Sequence, residues 1–291
     1  MEKNTDRMWW TIGAVLLGGI LIAGFLLIAN NNFTPKLSEK MNALIKTPEP
    51  SNKINPDDAK WVQKGDWGSN GYFVRDNAGN GIVYALDPQQ PVIAPETPTF
   101  TYDNGDLTSL RFLDKTILPK SSNRYFASNS KLTTFETKNL DTSNVTSMYG
   151  MFNGMYALTA LDVSKFDTSN VTDMSEMFAN MPALTSLDVS KFDTSKVTTM
   201  RMMFADMNAL TALDVSKFDT SNVTDMSEMF YSMDALTALD VSNFNTSNVT
   251  DVYGMFGDMP TLSRPDTSKF ETSKMTGKDQ MFARREATYM E

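Results

Sequence analysis

Residues 167–192 read DTSNVTDMSEMFANMPALTSLDVSKF, and close copies of this 26-residue stretch fill the chain from Asp141 to Phe270. A truncated copy then runs to Glu291. The phenylalanine of each Met-Phe pair recurs at a constant interval, at Phe152, Phe178, Phe204, Phe230, Phe256 and Phe282. A fixed period of this length is typical of proteins in which each copy is one supersecondary unit that stacks on its neighbours.

The first half of each copy predicts a short helix. Met174, Met177, Phe178 and Met181 follow the i, i+3, i+4, i+7 spacing of one helix face. The N-cap position holds a residue that caps helices in every copy, namely Ser147, Asp173, Thr199, Asp225 and Asp251. The methionines on the predicted face are expected to fill the core.

The second half of each copy predicts a strand. Leu187 and Val189 alternate with Asp188 and Ser190, which is the period of a strand with one buried face. The DTSNV segment that follows is rich in residues that form local turns. Each copy is therefore predicted to be a strand, a turn and a short helix, with successive strands parallel. The fold class predicted for this region is α/β, a leucine-rich-repeat-like solenoid with one parallel strand and one short helix per repeat.

The pattern L-x-x-L-x-V-x-x-F resembles the leucine-rich-repeat consensus, with Phe in place of the usual Asn or Cys. The phrases DTSNVTDMSEMF and LDVSKF resemble more narrowly the BspA-like leucine-rich-repeat surface proteins of bacteria. The resemblance covers about residues 107–291. It implies a cell-surface interaction protein, and it carries no ligand or catalytic residue with it.

The N-terminal third has a different composition. Residues 9–29 carry no charge and would span about 31 Å as a helix, which predicts a single N-terminal transmembrane helix; a cleaved signal peptide is the alternative. Two apolar runs, Tyr72–Val74 and Ile82–Leu86, flank DNAGNG and predict a β-hairpin. Trp61 and Trp67 lie nearby, and a core role is favoured for them over sugar binding. The predicted organisation is a charged leader (1–8), a transmembrane anchor (9–29), a Pro-rich stalk (30–99) with a small β module near 60–87, N-terminal cap repeats (100–140), five 26-residue repeats (141–270) and a truncated C-terminal cap repeat (271–291).

Composition excludes several classes of function. The chain has no Cys and no His, so thiol chemistry, disulfides and histidine-based catalytic or zinc sites are ruled out. A formal charge of −9 argues against nucleic acid as a partner. The carboxylates recur in equivalent environments, whereas a glycosidase needs two unlike ones. We therefore expect no enzyme activity, no catalytic residue and no cofactor.

One exposed position of the predicted strands is acidic in every copy and forms a candidate binding surface. Its members, the acidic column, are Glu136, Asp162, Asp188, Asp214, Asp240 and Asp266. Like charges on neighbouring strands repel each other. The repulsion could be offset by the nearby lysine column (Lys165, Lys191, Lys217 and Lys269), by bound cations such as Ca²⁺, or by a basic partner. No metal ligand is assigned.

These patterns together predict a non-catalytic, membrane-anchored bacterial surface protein with an adhesin-like ectodomain. The predicted location is the cell membrane, single-pass through residues 9–29, with the C-terminal part outside the cell. The expected partners are the membrane at residues 9–29 and an unidentified protein or glycan at the repeats. The alternative is a structural subunit of a cell-surface assembly.

Overall fold

The computed structural model describes residues 54–97 and 106–283. The chain divides into two units, and the boundary between them lies between Asn55 and Pro56. The second of the two units, Pro56–Glu291, contains all of the secondary structure described here. Its strands are β1 (Trp61–Asp66), β2 (Gly71–Asp76), β3 (Asn80–Ala85), β4 (Val92–Ile93), β5 (Ser109–Phe112), β6 (Thr116–Ile117), β7 (Thr134–Glu136) and β8 (Leu140–Asp141). A 3-10 turn covers Lys278–Gln280.

The strands form two sheets that lead into the repeats. In the five-stranded sheet the order is β1-β2-β3-β5-β7, with β1, β2 and β3 antiparallel and the β3-β5 and β5-β7 pairs parallel. The second sheet is parallel, with the order β4-β6-β8. The predicted hairpin around DNAGNG is confirmed by the β2-β3 pair. β5 and β7 lie within the region predicted to hold N-terminal cap repeats (100–140), and Leu110 and Phe135 on them are buried.

Between β8 and residue 283 the copies stack in parallel without forming ladders of two or more residues, and each pair of neighbouring copies shares one isolated parallel bridge. These bridges link Ser121, Ser147, Asp173, Thr199, Asp225, Asp251 and Thr276 in sequence. The strand predicted at Leu187–Val189 and its equivalents does not form. Leu187 and Val189 are nevertheless buried while Asp188 and Ser190 are exposed, so the predicted alternation is correct even though the strand is wrong.

The helix predicted in each copy is also wrong, because its backbone bonds are shared with the next copy. The N–H groups of Met174, Glu176 and Phe178 donate to the carbonyls of Thr199, Arg201 and Met203. Only the alternate N–H groups close local i→i+3 turns, as in the bond from Met177 to the carbonyl of Met174. An α-helix would direct every one of these groups to the residue four positions earlier.

Left-handed backbone at two positions of each copy, four residues apart, makes this arrangement possible. Glu176 has φ 57° and Asn180 has φ 58°, and the same two positions have positive φ in each copy from residue 124 to residue 258. A residue at such φ ends any helix. The residue predicted to cap the helix does make a capping hydrogen bond, since Asp173 Oδ1 accepts a bond from the N–H of Ser175 at 2.8 Å. The segment that follows it is a turn and not a helix.

The predicted fold class, an α/β leucine-rich-repeat-like solenoid with a strand and a helix per repeat, is therefore wrong. No α-helix occurs in residues 54–97 and 106–283, and strands of two or more residues are confined to the stretch from β1 to β8. Within the same residues no helix is long and apolar enough to cross a membrane. The prediction of a single-pass membrane protein is accordingly wrong for the part that the structure describes, and the predicted span at residues 9–29 lies outside it.

The core runs continuously through the copies and is centred on a row of phenylalanine rings. Phe178, Phe204 and Phe230 are fully buried, and their neighbouring rings stack at centroid distances of 5.8 Å. The row continues through Phe126, Phe152, Phe256 and Phe282. Met174, Met177 and their equivalents pack around the rings, which confirms the prediction that the methionines fill the core.

A buried threonine in each of the first four copies joins neighbouring copies by two hydrogen bonds. The Oγ1 of Thr194 donates to the carbonyl of Asp219 at 3.0 Å and accepts from the N–H of the same residue at 2.8 Å. Thr142, Thr168 and Thr220 repeat this double bond with the residue 25 positions later. These threonines satisfy backbone groups that a regular strand would have paired.

Candidate functional site

The acidic column predicted from the sequence is exposed, and its central members lie close to one another. Asp162, Asp188, Asp214, Asp240 and Asp266 are all exposed. The negative charge of Asp188 opposes ionisation of Asp162 and of Asp214, which places neighbouring members within electrostatic reach. Glu136 differs from the rest because it lies in β7, opposite Arg111 of β5, and forms an ion pair with Lys138 at 3.4 Å.

Each aspartate of the column has a structural task within its own copy. Asp188 Oδ1 accepts a hydrogen bond from the N–H of Ser190 at 2.9 Å. Asp214 and Asp240 each accept the equivalent bond from the N–H of the serine two residues later. Hydrogen bonding by Ser190 is the main cause of the lowered pKa of Asp188, and the charge of Lys191 adds to it. The Asp-x-Ser spacing is the sequence signal of this turn, and it accounts for the column without any ligand.

The positive charges of the lysine column partly offset the repulsion within the acidic column, which was the first of the three alternatives considered from the sequence. Lys165 and Lys217 lower the pKa of Asp162 and Asp214, although in both cases hydrogen bonding by the serine two residues on is the larger cause. No group of three or more acidic side chains among the described residues is arranged to hold a metal ion.

The positions that change from copy to copy lie elsewhere, in the turns that replaced the predicted helix. They are the ninth, tenth, thirteenth, fourteenth and sixteenth positions of each copy, and we refer to them as the turn face. Its members lie at 149, 150, 153, 154 and 156 and at the positions 26, 52, 78 and 104 residues later. Whereas the core residues and the buried threonine hardly vary, the ninth position holds Tyr, Ser, Arg, Ser and Tyr in turn.

A carboxylate that links three copies lies at the centre of the turn face. The side chain of Glu176 is 11% exposed, and it forms ion pairs with Arg124 at 2.9 Å and Arg201 at 3.4 Å. Tyr149 Oη and Asn153 Nδ2 each donate to it at 3.2 Å. The hydrogen bond with Tyr149 is the main cause of the raised pKa of Arg124, and the charge of Glu176 adds to it. Both arginines keep about half of their side-chain surface exposed.

Other turn-face side chains also bridge neighbouring copies. Asn208 Nδ2 donates to Asp234 Oδ2 at 2.8 Å, and Tyr231 Oη donates to the carboxylate of Asp258. Tyr156 is 53% exposed, which is high for so large an apolar side chain. Eleven of the 25 turn-face positions are buried, and three of them, Ala179, Ala205 and Tyr231, form a second apolar cluster; the others are exposed or half-buried and chemically different from copy to copy. The turn face was not predicted, although the variation among copies is visible in the sequence.

Comparison with known proteins finds one family. The sequence profile described as Mycoplasma protein of unknown function, DUF285, matches residues 120–213 and again residues 206–290, and therefore covers the stacked copies. No curated protein and no solved structure matches the sequence.

Proposed function

Because this chain belongs to the family described as Mycoplasma protein of unknown function, DUF285, which carries no activity with it, we propose from the geometry that it is a non-catalytic, adhesin-like binding protein. The partner is bound at the turn face, and the remaining surfaces of each copy serve the stack. The resemblance of the DTSNVTDMSEMF and LDVSKF phrases to BspA-like surface proteins supports this class of role.

One observation carries the proposal: the accessible positions of the turn face differ from copy to copy, and stacking of the copies does not require that difference. The core positions, the buried threonine and the Asp-x-Ser turn each perform a structural task that recurs in every copy. The turn-face positions carry basic, acidic, amide and aromatic side chains in different copies. Stacked repeats create extended binding surfaces in which each copy contributes its own side chains. Specific recognition requires such diversity, whereas stacking does not.

The chemistry of the turn face favours a protein partner. Tyr and Arg are the residue types that dominate the energetics of protein interfaces. Tyr149 and Tyr156 lie in the first copy, Arg201 lies in the third copy, and Arg124 lies at the equivalent turn just before the first copy. The network around Glu176 holds Tyr149 and the two arginines in place before binding. Preorganised side chains lose less conformational entropy when a partner binds.

The test is binding of the full chain to immobilised extracellular-matrix proteins, mucin and cell-wall fragments. We expect saturable binding to a protein of this panel, weakened about tenfold by Tyr156→Ala or Arg201→Ala, a change of about 1.4 kcal/mol. The matched controls are Asp188→Asn and Asp214→Asn, which keep the oxygen that accepts from the serine N–H and remove only the charge. They are expected to bind as the unmodified chain does.

Two outcomes would count against the turn face. Binding that is weakened by high salt and by the two Asp→Asn changes, while Tyr156→Ala and Arg201→Ala have no effect, would move the site to the acidic column. Absence of binding to every probe, together with self-association of the full chain into filaments or rings, would replace the proposal with the structural-subunit alternative.

A further inference from the structure

A cleft of about 340 Å³ lies on the five-stranded sheet, apart from the turn face. Its volume is at the lower end of the range of about 300–1,000 Å³ that is typical of small-molecule sites. None of the residues that line it belongs to the turn face, so it stands independently of the function proposed above. The side chains that matter for its chemistry are Lys60, Trp61, Asn80, Arg111, Thr134 and Glu136.

The register of the sheet brings these residues together from distant parts of the sequence. Asn80 of β3 pairs with Ser109 of β5, which in turn pairs with Thr134 of β7. Two residues further along the same strands, Arg111 of β5 pairs with Glu136 of β7. Because side chains two residues apart on a strand share a face, both rows point to the same side. Leu110, between Ser109 and Arg111, is buried in the core and lines the cleft only in part.

The floor of the cleft is held in place by its own hydrogen bonds. Asn80 Nδ2 donates to Asp76 Oδ2 at 2.9 Å, and Ser109 Oγ donates to Asn80 Oδ1 at 2.8 Å. The backbone N–H of Asn80 also donates to Asp76, so the turn before β3 is tied to the same carboxylate. These bonds fix the polar groups before any ligand arrives.

An aromatic ring stands at the edge of this polar surface. Trp61 is half-buried and lines the cleft, with Lys60 Nζ 4.5 Å from the centre of its ring. Trp67, by contrast, is only 4% exposed and packs against Phe112 in the core. The core role favoured for both tryptophans is therefore confirmed for Trp67 and wrong for Trp61.

The lining excludes two common ligand classes and matches a third. Lys60 and Arg111 are offset by Asp76 and Glu136, so the cleft has no net positive charge to attract a phosphorylated ligand. Its polar floor does not suit a wholly apolar ligand. A sugar ring has one face of C–H groups and a rim of hydroxyls that both donate and accept hydrogen bonds. An indole beside guanidinium, hydroxyl, amide and carboxylate groups supplies partners for all of these.

We propose that this cleft binds a saccharide of one or two rings. The apolar face of a ring lies against the indole of Trp61. Its hydroxyls accept hydrogen bonds from Arg111 and donate them to Glu136 and Thr134.

The test is saturation-transfer NMR, followed by calorimetric titration, of the full chain with a named panel. The probes are glucose, galactose, N-acetylglucosamine, N-acetylneuraminic acid, cellobiose, lactose and chitobiose. We expect at least one to bind saturably and to lose about tenfold in affinity with Trp61→Ala and with Arg111→Gln. Thr134→Val is expected to weaken binding less, because it removes one hydroxyl from an exposed position. Tyr156→Ala is the control, since it removes an exposed aromatic ring that does not line the cleft.

The proposal is overturned if no sugar of the panel binds saturably at concentrations up to about 10 mM, well above a millimolar dissociation constant. It is equally overturned if binding is retained in both Trp61→Ala and Arg111→Gln. Arg111 and Thr134 are exposed, so their substitution keeps the test valid even if Trp61→Ala fails to fold. Tyr156→Ala alters the turn face and leaves the cleft intact. Loss of protein binding in this variant therefore tests the turn face, and loss of sugar binding in the cleft variants tests the cleft, so the two proposals fail separately.

Discussion

Replacing Thr194 with Val tests whether the buried threonines hold the copies together. Thr194 is 1% exposed, and its hydroxyl makes one bond to the carbonyl and one from the N–H of Asp219 in the next copy. Valine has nearly the same shape, so the change removes both hydrogen bonds without leaving a large cavity. At about 1 kcal/mol for each bond, the expected loss in the free energy of unfolding is about 2 kcal/mol. That loss corresponds to a fall in Tm of roughly 4–8 °C for a domain of this size.

The matched control is Thr198→Val in the same copy. The hydroxyl of Thr198 also bonds to a neighbouring copy, donating to the carbonyl of Thr172 at 3.1 Å, but its side chain is exposed. The N–H of Thr198 keeps its own bond to that carbonyl at 2.8 Å, and water replaces the hydroxyl. We therefore expect a loss below about 0.5 kcal/mol.

Urea unfolding of the full chain, followed by circular dichroism, measures both variants, and amide hydrogen exchange localises the effect. In Thr194→Val the N–H of Asp219 is expected to exchange faster than in the unmodified chain, while in Thr198→Val it is unchanged. The reasoning is refuted if the two variants differ by less than about 0.5 kcal/mol, or if exchange at Asp219 does not change.

Three further predictions follow from the same structure. Phe204→Ala is expected to lower the free energy of unfolding by about 3–5 kcal/mol, because its ring stacks on a neighbouring ring on both sides. Phe282 lies at the end of the row, so Phe282→Ala is expected to lower it by no more than about half of that in the same assay. Gly257→Ala is expected to lower the free energy of unfolding by about 1–3 kcal/mol, since the new Cβ would lie 2.2 Å from the carbonyl oxygen of Ala283; an unchanged Tm would contradict this. The aspartates of the acidic column have lowered pKa values in the folded state, so their stabilisation is complete above the unfolded pKa near 4 and is lost as pH falls through the folded values. Stability in urea should thus be flat from about pH 6 to 8, where a chain without His has no side chain that ordinarily titrates, and should decline below about pH 4; a decline that begins near pH 6 would refute it.

Much of the core was predictable from the sequence because burial follows apolar spacing. Met174, Met177 and Phe178 were assigned to one buried face, and all three are fully buried. Leu187 and Val189 were likewise placed inside, with Asp188 outside. These assignments depend only on which side of the backbone a residue lies.

The conformation of that backbone was not predictable in the same way. The i, i+3, i+4, i+7 spacing fits a helix, but it fits equally a chain that turns every four residues. Whether the helix or the series of turns forms depends on the partner of the Glu176 N–H, which bonds either within its own copy or to the carbonyl of Arg201 in the next copy. Since the sequence of one copy is the same in either case, its period does not distinguish them.

The candidate sites show the same division. The acidic column was visible as a periodic charge, and the local Asp-x-Ser turn explains it. The cleft was not visible, because Trp61, Arg111 and Thr134 are separated by dozens of residues and meet only through the register of the sheet. Glu136, which the sequence placed with the aspartates, belongs in the structure to the cleft as well.

The sequence by itself determined the 26-residue stacking interval and the set of side chains that stacking buries, because both follow from the order of apolar residues along the chain. Only the tertiary structure decided the backbone conformation of each copy and the residues that converge on the cleft. The physical reason is that a backbone N–H bonds to whichever carbonyl is nearest after the copies have packed, and in this protein that carbonyl lies about 25 residues away.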